Sequence, residues 1–383
     1  MAPVIRALGG LGSKVRVRIC VTGQHRELLD QVLDLFALTP DYDLQVMRPA
    51  QDLIDLTTSI LQGMRSILRA NRPQIVLVHG DTTTAMAAAL AAFYEQVPVG
   101  HVEAGLRTNN IYNPWPEEVN RQLVTRIAAL HFAPTELSRE NLLRENVPAE
   151  RIEVTGNTVI DALQIIREEI AVRPELQSHI WEKAVSAGVP AARLEDWKNG
   201  NRRMVLITGH RRENFGRAFI GICEAISAVA KRHPDVDFVY PMHLNPNVRA
   251  AIRDVFGSDL QELRARDNIV LAEPLEYAPF VYILGLSHFV LTDSGGIQEE
   301  APGLAKPVLV MRETTERPEA IKAGTVRLIG TDRLRIEEEM DTLLLDGKRY
   351  DQMARSVNPY GDGKAAPRIV ERILRSTEWL HGS

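Results

Sequence analysis

The sequence predicts an α/β protein with two domains, each built around a parallel sheet that helices cover on both faces. Three observations support this fold class. The chain has 383 residues, which is too many for one ordinary hydrophobic core and fits two domains. Short runs rich in Val and Ile alternate with helical patterns from end to end, as in sheets whose strands are buried on both faces. A content of 45% hydrophobic and 25% charged residues is typical of a soluble globular protein.

The predicted strands form two series, one in each half of the chain. The first series covers residues 15–22, 74–78, 97–102 and 151–155, and the second covers 204–208, 238–240, 268–271, 288–292 and 307–311. Helical patterns lie between the strands, for example at 82–96 and 138–145. Because strands and helices alternate in this way, the strands of each series are expected to run parallel.

The polar segment 172–203, which contains Pro190, interrupts this alternation. We interpret it as the end of the first domain and the start of the second. Further along, a turn cluster at 358–363 precedes a last helix predicted at 365–379.

The front of the chain departs from the usual order of such a fold. It opens in an amphipathic helix with Val4, Ile5 and Leu8 on one face. A doubly wound domain normally opens with a strand that lies near the centre of its sheet. The first strand of the N-terminal domain is therefore expected to be missing from this sequence.

Charge and composition exclude several classes of partner. The net charge of -5 argues against a nucleic-acid partner, because binding the phosphate backbone needs a basic surface. No apolar run reaches the roughly 18 residues that a membrane span needs, and the first residues lack a secretory signal pattern. Cys20 and Cys223 lie far apart in apolar runs and are interpreted as buried free thiols. These features predict a cytoplasmic protein that does not bind membranes.

Common cofactor and nucleophile motifs are absent from the sequence. No GxGxxG follows a strand and no GxxxxGK[ST] occurs, which argues against a dinucleotide site and an ATP phosphate loop. No HExxH, CxxC or GxSxG is present either, so a zinc site and a serine nucleophile have little support. We therefore expect no cofactor and no metal.

Polar residues follow the predicted strands at eight places. These are residues 23–26, 79–81, 103–107, 156–157, 209–213, His243, 293–296 and Arg312. Any one of them can be explained as a surface loop or a helix cap. Because ligands bind outside the carboxyl ends of parallel strands, eight such places in register indicate a polar ligand site.

The segment 292–300 carries the sharpest local pattern, since a strand ends at Gly295 and Gly296 and a helix begins at once. Free N–H groups and the positive end of a helix dipole are therefore expected where a phosphate can bind. A helix capped by Asp293 or Ser294 explains the same residues, and the sequence leaves both interpretations open. Arg317 and the pair Arg211–Arg212 offer positive charge for a diphosphate.

Carboxylates gather in the N-terminal half, at Asp81, Glu103 and the pair Glu117–Glu118. Pro114 and Pro116 exclude a regular helix just before that pair and make a rigid loop. A rigid loop ending in two acids suits acid–base chemistry, although a Glu-rich helix N-terminus is the simpler explanation.

Two histidines follow strands of the second series, His210 and His243. Both can be core or cap residues. The two arginines next to His210 favour contact with a ligand.

Eight segments resemble the non-hydrolysing UDP-N-acetylglucosamine 2-epimerase family. They are HGDTTT at 79–84, GHVEAGLRT at 100–108, PWPEE at 114–118, TGNTVID at 155–161, TGHRRE at 208–213, HLNP at 243–246, DSGGIQEE at 293–300 and TTERPE at 314–319. The resemblance covers nearly the whole chain. It implies two Rossmann-like domains in the GT-B arrangement, with residues 1–168 and a C-terminal helix 362–383 in the first and 169–361 in the UDP-binding second.

The resemblance implies reversible inversion at C2 of UDP-N-acetylglucosamine to give UDP-N-acetylmannosamine for cell-surface polysaccharide. UDP is eliminated to leave 2-acetamidoglucal and then adds again, without nicotinamide or metal. A homodimer is implied as well. The alternatives are a hydrolysing epimerase that releases N-acetylmannosamine and UDP, a GT-B glycosyltransferase and a catalytically inactive binding protein.

The same resemblance assigns roles to single residues. Asp81, Glu103 and Glu117 are the implied catalytic carboxylates, and His210 lies near the leaving phosphate. The implied substrate contacts are Ser294, Gly295, Gly296, Glu300, Arg317 and His243, with Glu300 on the ribose hydroxyls. Gln24, Arg26 and Arg211, together with His243, are expected to contact a second, activating UDP-sugar.

Family members begin with a strand and a Gly-Thr-Arg-Pro-Glu loop just before the helix that opens this chain. We favour a start assigned too late as the reason for the difference. A protein made from the sequence as written is expected to have weak activity and a distorted first domain, because its central strand would be missing.

Overall fold

A computed structural model describes residues 1–23, 26–48, 51–209, 211, 214–257, 268–315 and 317–376. The chain divides into two compact units. The first comprises Met1–Ala162 together with the chain from Tyr360 onward, and the second comprises Leu163–Pro359. The boundaries expected from the sequence, after residue 168 and before residue 362, lie a few residues away from these.

The first unit contains six short strands among its described residues. They are β1 (Cys20–Val21), β2 (Tyr42–Asp43), β3 (Val76–His79), β4 (Val99–Val102), β5 (Leu130–Ala133) and β6 (Ile152–Val154). Its helices are α1 (Ala2–Gly9), α2 (Arg26–Leu35), α3 (Leu53–Asn71), α4 (Thr83–Tyr94), α5 (Glu117–Ile127), α6 (Glu136–Arg144), α7 (Thr158–Val172), which extends into the second unit, and a C-terminal helix (Ala365–Ser376).

All strand pairs of the first unit are parallel, as predicted. Strands β3, β4, β5 and β6 form one sheet in that order, and β1 pairs with β2 in a separate two-stranded sheet. The predicted strand 15–22 is wrong in its length, because only Cys20–Val21 forms a ladder. The backbone bonds from this segment to the chain around β2 begin at Ile19, whose carbonyl accepts from Asp41 N at 2.8 Å, so the residues before it lie outside the ladder.

The opening helix α1 is amphipathic, as predicted, and its buried face meets the C-terminal helix of the chain. Val4 and Leu8 lie in one cluster with Phe132 of β5 and Ile369 of the C-terminal helix. Asp161 of α7 accepts hydrogen bonds from the first two N–H groups of that C-terminal helix, at 3.1 and 2.7 Å. A carboxylate at a helix N-terminus is favourable, so Asp161 anchors the end of the chain on the first unit.

The second unit is built on a six-stranded parallel sheet, again as predicted. Its strands are β7 (Arg203–Thr208), β8 (Val236–Pro241), β9 (Ile269–Ala272), β10 (Phe289–Thr292), β11 (Val308–Val310) and β12 (Val326–Leu328). Its described helices are α8 (Pro174–Ser186), α9 (Ala191–Lys198), α10 (Arg217–Arg232), α11 (Pro246–Phe256), α12 (Tyr277–Leu286), α13 (Ile297–Gly303), α14 (Pro318–Ala323), α15 (Arg333–Leu345) and α16 (Gly347–Ala354), so that the C-terminal helix Ala365–Ser376 becomes α17.

The order of this sheet, β12-β11-β10-β7-β8-β9, reverses between β10 and β7. Such a reversal opens a crevice at the carboxyl ends of the two strands, where ligands of doubly wound folds bind. The loops that follow β7 and β10 therefore flank the expected ligand position of this unit. Both strands are almost entirely buried, which explains their continuous apolar sequences.

The polar segment 172–203, interpreted as the passage between two domains, lies in the second unit, within the limits 169–361 expected for the second domain. It forms α8 and α9, whose buried residues include Ile180 and Trp197. The indole Nε1–H of Trp197 donates to Asp237 Oδ2 at 2.8 Å, and Asp237 is fully buried in β8. The segment looked polar because its apolar residues are few, and some of these, such as Val172 and Val185, are exposed.

Within the described ranges, no helix is long and apolar enough to cross a membrane.

Candidate functional site

His79 is the last residue of β3, and Gly80 and Asp81 follow it in a loop whose backbone carbonyls accept hydrogen bonds from neighbouring side chains. Gly80 adopts a φ of +69°, a conformation that favours glycine. Its carbonyl accepts from Nε2 of His101 at 2.8 Å. The carbonyl of Asp81 accepts from the amide of Asn120 at 2.9 Å. These two hydrogen bonds hold the backbone of the loop in place.

The Asp81 carboxylate is held by Arg121 of α5. Nε and NH2 of Arg121 lie 2.8 and 2.7 Å from Asp81 Oδ2. NH1 of the same guanidinium donates to Glu118 Oε2 at 2.8 Å. Because an arginine stays charged at all relevant pH values, Asp81 has a permanent positive partner.

Glu118 is fully buried, and it organises the neighbouring loop. Its two oxygens accept the backbone N–H groups of Thr108 and Asn109 at 3.0 and 3.1 Å. Burial alone would raise the pKa of Glu118, but these two hydrogen bonds and the charge of Arg121 hold it below its usual value. Glu118 therefore has a structural role, in contrast to its neighbour Glu117.

Glu117 is the first residue of α5, so the Glu-rich helix N-terminus expected as the simpler explanation is present. The side chain is half-buried. Among the described residues it has no hydrogen-bond or ion-pair partner, which leaves its carboxylate available to a ligand.

Glu103 follows β4 with a φ of +65°, a backbone conformation that residues other than glycine adopt at an energetic cost. Its Oε2 lies 3.2 Å from Nε2 of His79. Strands β3 and β4 pair His79 with Val102, so the two strands bring the imidazole and the carboxylate to the same edge of the sheet. His79 belongs to the same predicted polar segment as Asp81, but the sequence pattern predicted no role for it.

The turn after Glu103 leaves no space for a side chain at Gly105, where φ is +91° and a Cβ would lie 2.2 Å from the carbonyl oxygen of Ser138. Arg107, whose side chain is 2% exposed, binds Glu145, the C-cap residue of α6, at 2.6 Å and Thr125 of α5 at 2.8 Å. The loop that carries Glu103 is thus rigid on both sides.

Two further histidines lie under this edge of the sheet, where β4 and β5 pair His101 with His131. Both are buried. Burial lowers the pKa of His101 to about 4 and that of His131 to about 3, so both are neutral near pH 7. A neutral His101 donates its Nε2–H to the Gly80 carbonyl, because a carbonyl oxygen can only accept.

In the second unit, Asp293 joins the two loops at the reversal of the strand order. It is fully buried and its Oδ2 accepts from the backbone N–H of Arg211 at 2.9 Å and from Asn214 at 3.2 Å. The interpretation of Asp293 or Ser294 as a helix cap was wrong, because Gly296 is the N-cap of α13 and no side chain bonds there. Asp293 is needed between the loops instead.

Gly296 is exposed, with a φ of -61° that any residue adopts. A Cβ built there would meet no atom within 4 Å. Neither the backbone nor the packing of the described chain therefore requires glycine at this position. Gly295 beside it is buried, and Ser294 is half-buried with its N–H donated to Thr292 Oγ1 at 2.9 Å.

The first turn of α13 carries two buried acids with different partners. Glu299 accepts from Nε of Arg317 at 2.5 Å, so the arginine predicted to offer charge to a diphosphate is paired within the chain. Glu300 accepts from the hydroxyl of Tyr277 at 3.1 Å. Burial raises the pKa of Glu300 to about 7, so its carboxyl group is partly protonated at neutral pH.

The remaining predicted residues are scattered over both units. His243 is exposed after β8, and its Nδ1 accepts from Asn245 N at 3.1 Å. Arg26 is exposed at the start of α2, where it pairs with Asp43 and with Asp30 at 3.0 Å. Gln24 and His210 lie outside the described residues.

No group of three or more His, Cys, Asp or Glu side chains in the described part of the chain is placed to hold a metal ion. The described side chains offer carboxylates in the first unit, and backbone N–H groups and an acid with a raised pKa, Glu300, in the second.

Comparisons with known proteins agree with this combination. The model of the UDP-N-acetylglucosamine 2-epimerase family matches residues 11–374. A probable UDP-N-acetylglucosamine 2-epimerase of Ralstonia nicotianae is 55% identical over 97% of this chain and 94% of its own. The UDP-N-acetylglucosamine 2-epimerase of Escherichia coli is 52% identical over the same shares.

A solved structure gives the same result at the level of the fold. The crystal structure of UDP-GlcNAc 2-epimerase from Neisseria meningitidis bound to UDP-GlcNAc has a TM-score of 0.84 and 47% sequence identity to this chain. The match covers 98% of this chain and 96% of that one. The chain therefore belongs to the UDP-N-acetylglucosamine 2-epimerase family.

Proposed function

We propose that this chain interconverts UDP-N-acetylglucosamine and UDP-N-acetylmannosamine by the non-hydrolysing route. The observation that carries the proposal is the set of carboxylates after β3 and β4 and at the start of α5. Inversion at a carbon needs one group that removes a proton and one that delivers a proton to the other face. Asp81, Glu103 and Glu117 are the candidates for these tasks.

The C2 proton of the sugar is only weakly acidic, so its removal must be coupled to the loss of a good leaving group. A carboxylate takes the proton from C2, the bond from C1 to the UDP oxygen breaks, and a C1=C2 double bond forms. The product of this half is 2-acetamidoglucal and UDP. UDP then adds back to C1 while a proton is delivered to C2 from the opposite face, which completes the inversion without net redox change.

In the second unit, we assign UDP to the loops at the reversal of the strand order. Ser294, Gly295 and Gly296 would hold the diphosphate at the uncapped start of α13, with His210 near the leaving phosphate. Arg317 would contribute charge from its pair with Glu299. Glu300 would accept hydrogen bonds from the ribose hydroxyls.

His243, Arg211, Arg26 and Gln24 complete the proposed contacts, with His243 on the substrate and the other three on an activating UDP-sugar. Sigmoidal kinetics in the reverse direction would support the second site. Hyperbolic kinetics without activation by the substrate contradict it.

The test is incubation of the purified protein with UDP-N-acetylglucosamine in D2O, followed by proton NMR. The expected result is UDP-N-acetylmannosamine at an equilibrium ratio, with deuterium at C2 of both sugars. Free N-acetylmannosamine with UDP would instead identify the hydrolysing reaction. A protein that binds UDP by calorimetry but forms neither product would contradict the epimerase proposal, and sugar transfer to an added acceptor would identify a glycosyltransferase.

We further propose a cytoplasmic homodimer whose product feeds synthesis of a cell-surface polysaccharide. Sedimentation velocity measures the assembly directly, and a monomer at micromolar concentration would contradict the dimer.

A further inference from the structure

We propose that Tyr277 is a positioning residue for Glu300, and that this pair makes the nucleotide site select a nucleotide whose ribose carries both hydroxyl groups. The inference rests on the proposed function, because it takes UDP at the loops beside α13 as given. It starts from the number of hydrogen bonds that each buried acid receives.

Two buried glutamates of this chain differ in how many donors surround them. Glu118 accepts two backbone N–H groups and NH1 of Arg121. Glu300 is 8% exposed, and the one donor that the described residues give it is the hydroxyl of Tyr277, 3.1 Å from Oε1. A carboxylate has about four acceptor positions, and a buried polar group without partners costs free energy. Glu300 therefore retains acceptor positions for the hydroxyl groups of a ligand.

Tyr277 is placed to hold Oε1 of Glu300 in one position. It is the first residue of α12, and Glu276 just before it pairs with Lys183 of α8 at 2.7 Å. The next two residues, Ala278 and Pro279, are buried and anchor the start of this helix. Burial raises the pKa of Tyr277, so its hydroxyl keeps its proton and donates to the carboxylate.

Glu300 lies one turn after the loop proposed to hold the diphosphate. Its backbone N–H donates to the carbonyl of Gly296 at 3.0 Å. Four residues of an α-helix rise about 6 Å, so the diphosphate and the ribose of one nucleotide can reach both positions. Oε2 has no partner within the part of the chain that the structure describes. With Oε1 bound by Tyr277, Oε2 is the oxygen that meets the two ribose hydroxyls.

The hydrogen bond from Tyr277 affects the charge of Glu300 as well as its geometry. Burial raises the pKa of Glu300 to about 7, whereas this hydrogen bond favours the ionised form and opposes that rise. An ionised carboxylate accepts hydroxyl groups more strongly than a neutral acceptor does. A nucleotide without those hydroxyls would leave the carboxylate buried and unsatisfied, and sites built in this way reject such analogues.

The experiment measures by calorimetry the affinities of UDP and of 2′,3′-dideoxy-UDP, which lacks both hydroxyls. We expect UDP to bind the wild type about 30-fold more tightly than the dideoxy nucleotide. In Tyr277→Phe the ratio should fall to about threefold, because the carboxylate is no longer held. Tyr282→Phe makes the same chemical change at a half-buried tyrosine of the same helix, and it should keep the wild-type ratio.

Steady-state kinetics separates positioning from damage to the fold. Because the ribose is remote from C2, its contacts should contribute equally before and during the reaction. The KM for UDP-N-acetylglucosamine should therefore rise about fivefold in Tyr277→Phe, while kcat stays within about twofold of the wild-type value. A loss confined to kcat would overturn the proposal, as would a Tyr277→Phe variant that keeps the 30-fold ratio of affinities.

The proposal also predicts coupling between the two residues. In a Glu300→Gln background, Tyr277→Phe should change the ratio of affinities by less than about twofold, because the positioned group is already gone. A further fall as large as the one in the wild-type background would show that Tyr277 acts without Glu300 and would contradict the proposal.

Failure of this inference is distinguishable from failure of the proposed function. A wild-type protein that epimerises its substrate but binds both nucleotides equally keeps the function and overturns the selectivity. A protein that binds neither nucleotide and forms no product overturns both. Thermal unfolding of each variant shows whether the fold is kept. If Tyr277→Phe does not fold, Tyr277→Met, which also lacks a donor and adapts to irregular spaces, should give the same threefold ratio.

Discussion

The two units use the same edge of the same kind of sheet, yet they hold their polar residues in opposite ways. In the first unit, side chains donate hydrogen bonds to the backbone of the loop after β3, and Asp81 and Glu118 both pair with Arg121. In the second unit the start of α13 is uncapped and Glu300 has a pKa of about 7. The difference teaches that a parallel sheet sets where a site lies, whereas the partners of each side chain decide whether it does proton chemistry or holds an anion.

Two adjacent acids of α5, Glu117 and Glu118, give the sharpest test of how the partners of a side chain decide its role. Glu117→Gln is expected to lower kcat about 100-fold or more without changing the melting temperature, because this half-buried acid has no partner in the described chain. Steady-state kinetics and thermal unfolding on the same sample measure both effects. Asp81→Asn and Glu103→Gln should show comparable losses of kcat, and near-full activity in any one of them removes that residue from the reaction.

Glu118→Gln is the matched variant for that experiment. Unlike Glu117→Gln, it should lower the stability of the fold. The amide cannot satisfy two backbone N–H groups and Arg121, so we expect a loss of about 3 kcal/mol in the free energy of unfolding. Urea denaturation measures it. Equal stability of the Glu117 and Glu118 variants would contradict the division of roles between them.

Acid should weaken the first unit through its buried histidines. The pKa of His131 falls from 6.5 in the unfolded chain to about 3 in the folded one, so the unfolded state binds more protons at acid pH. The stabilisation is fully present above pH 6.5 and is lost as the pH falls toward 3. At the acid limit it amounts to several kcal/mol, on the order of 3 to 5.

His131→Gln removes this titration and should flatten the fall in unfolding free energy between pH 6.5 and pH 4, measured by urea denaturation. His179→Gln, on the surface of the second unit, should leave the slope as it is. A wild-type slope in the His131 variant would show that its protonation does not contribute.

Glycine at 296 tests the proposed anion-holding loop of the second unit. Gly296→Ala meets no atom within 4 Å and keeps an ordinary φ, so the fold should tolerate it with a change below about 1 kcal/mol. If a diphosphate approaches this backbone, the added methyl group should weaken UDP binding about tenfold. Calorimetry with UDP measures the affinity, and unchanged binding would place the diphosphate elsewhere.

The smallest expected effect concerns Glu300. Its raised pKa of about 7 means that the ionised form, which accepts ribose hydroxyls best, grows as the pH rises from 6 to 8. UDP affinity should therefore increase a few-fold over this range and should lose that dependence in Glu300→Gln. The accompanying stability has the reverse sign, because protonated Glu300 is favoured in the fold below pH 4.5 and that advantage is lost as the pH rises through 7.

The fold class followed from the sequence because buried parallel strands leave a plain signature in runs of Val and Ile. Strand β5 was missed, since Leu130–Ala133 is short, contains a histidine and follows α5 almost directly. Strand β1 was predicted too long, because a strand needs a neighbour as well as a pattern. The helices of segment 172–203 were missed as a packed region, since the bond of Trp197 to Asp237 joins distant residues.

The candidate site was predictable as a set of residues but not as a set of contacts. Asp81 and Glu103 were expected just after strands, and the structure places both there. The separate roles of Glu117 and Glu118 could not be, because adjacent helix residues differ only in the face that the tertiary structure buries. The contact of His79 with Glu103 and the bond of Asp293 to the Arg211 backbone could not be predicted either, because each joins residues far apart in the sequence.

The left-handed backbone at Glu103 has a consequence for anyone who redesigns this protein. At a φ of +65°, glycine would have a lower conformational energy than glutamate. Stability therefore favours glycine at this position, whereas the proposed chemistry requires a carboxylate. Under the proposed catalytic role of Glu103, a library ranked only by thermal stability would drift toward Gly at 103 and would be enriched in stable but inactive proteins. Thermostabilisation campaigns should therefore hold this codon constant.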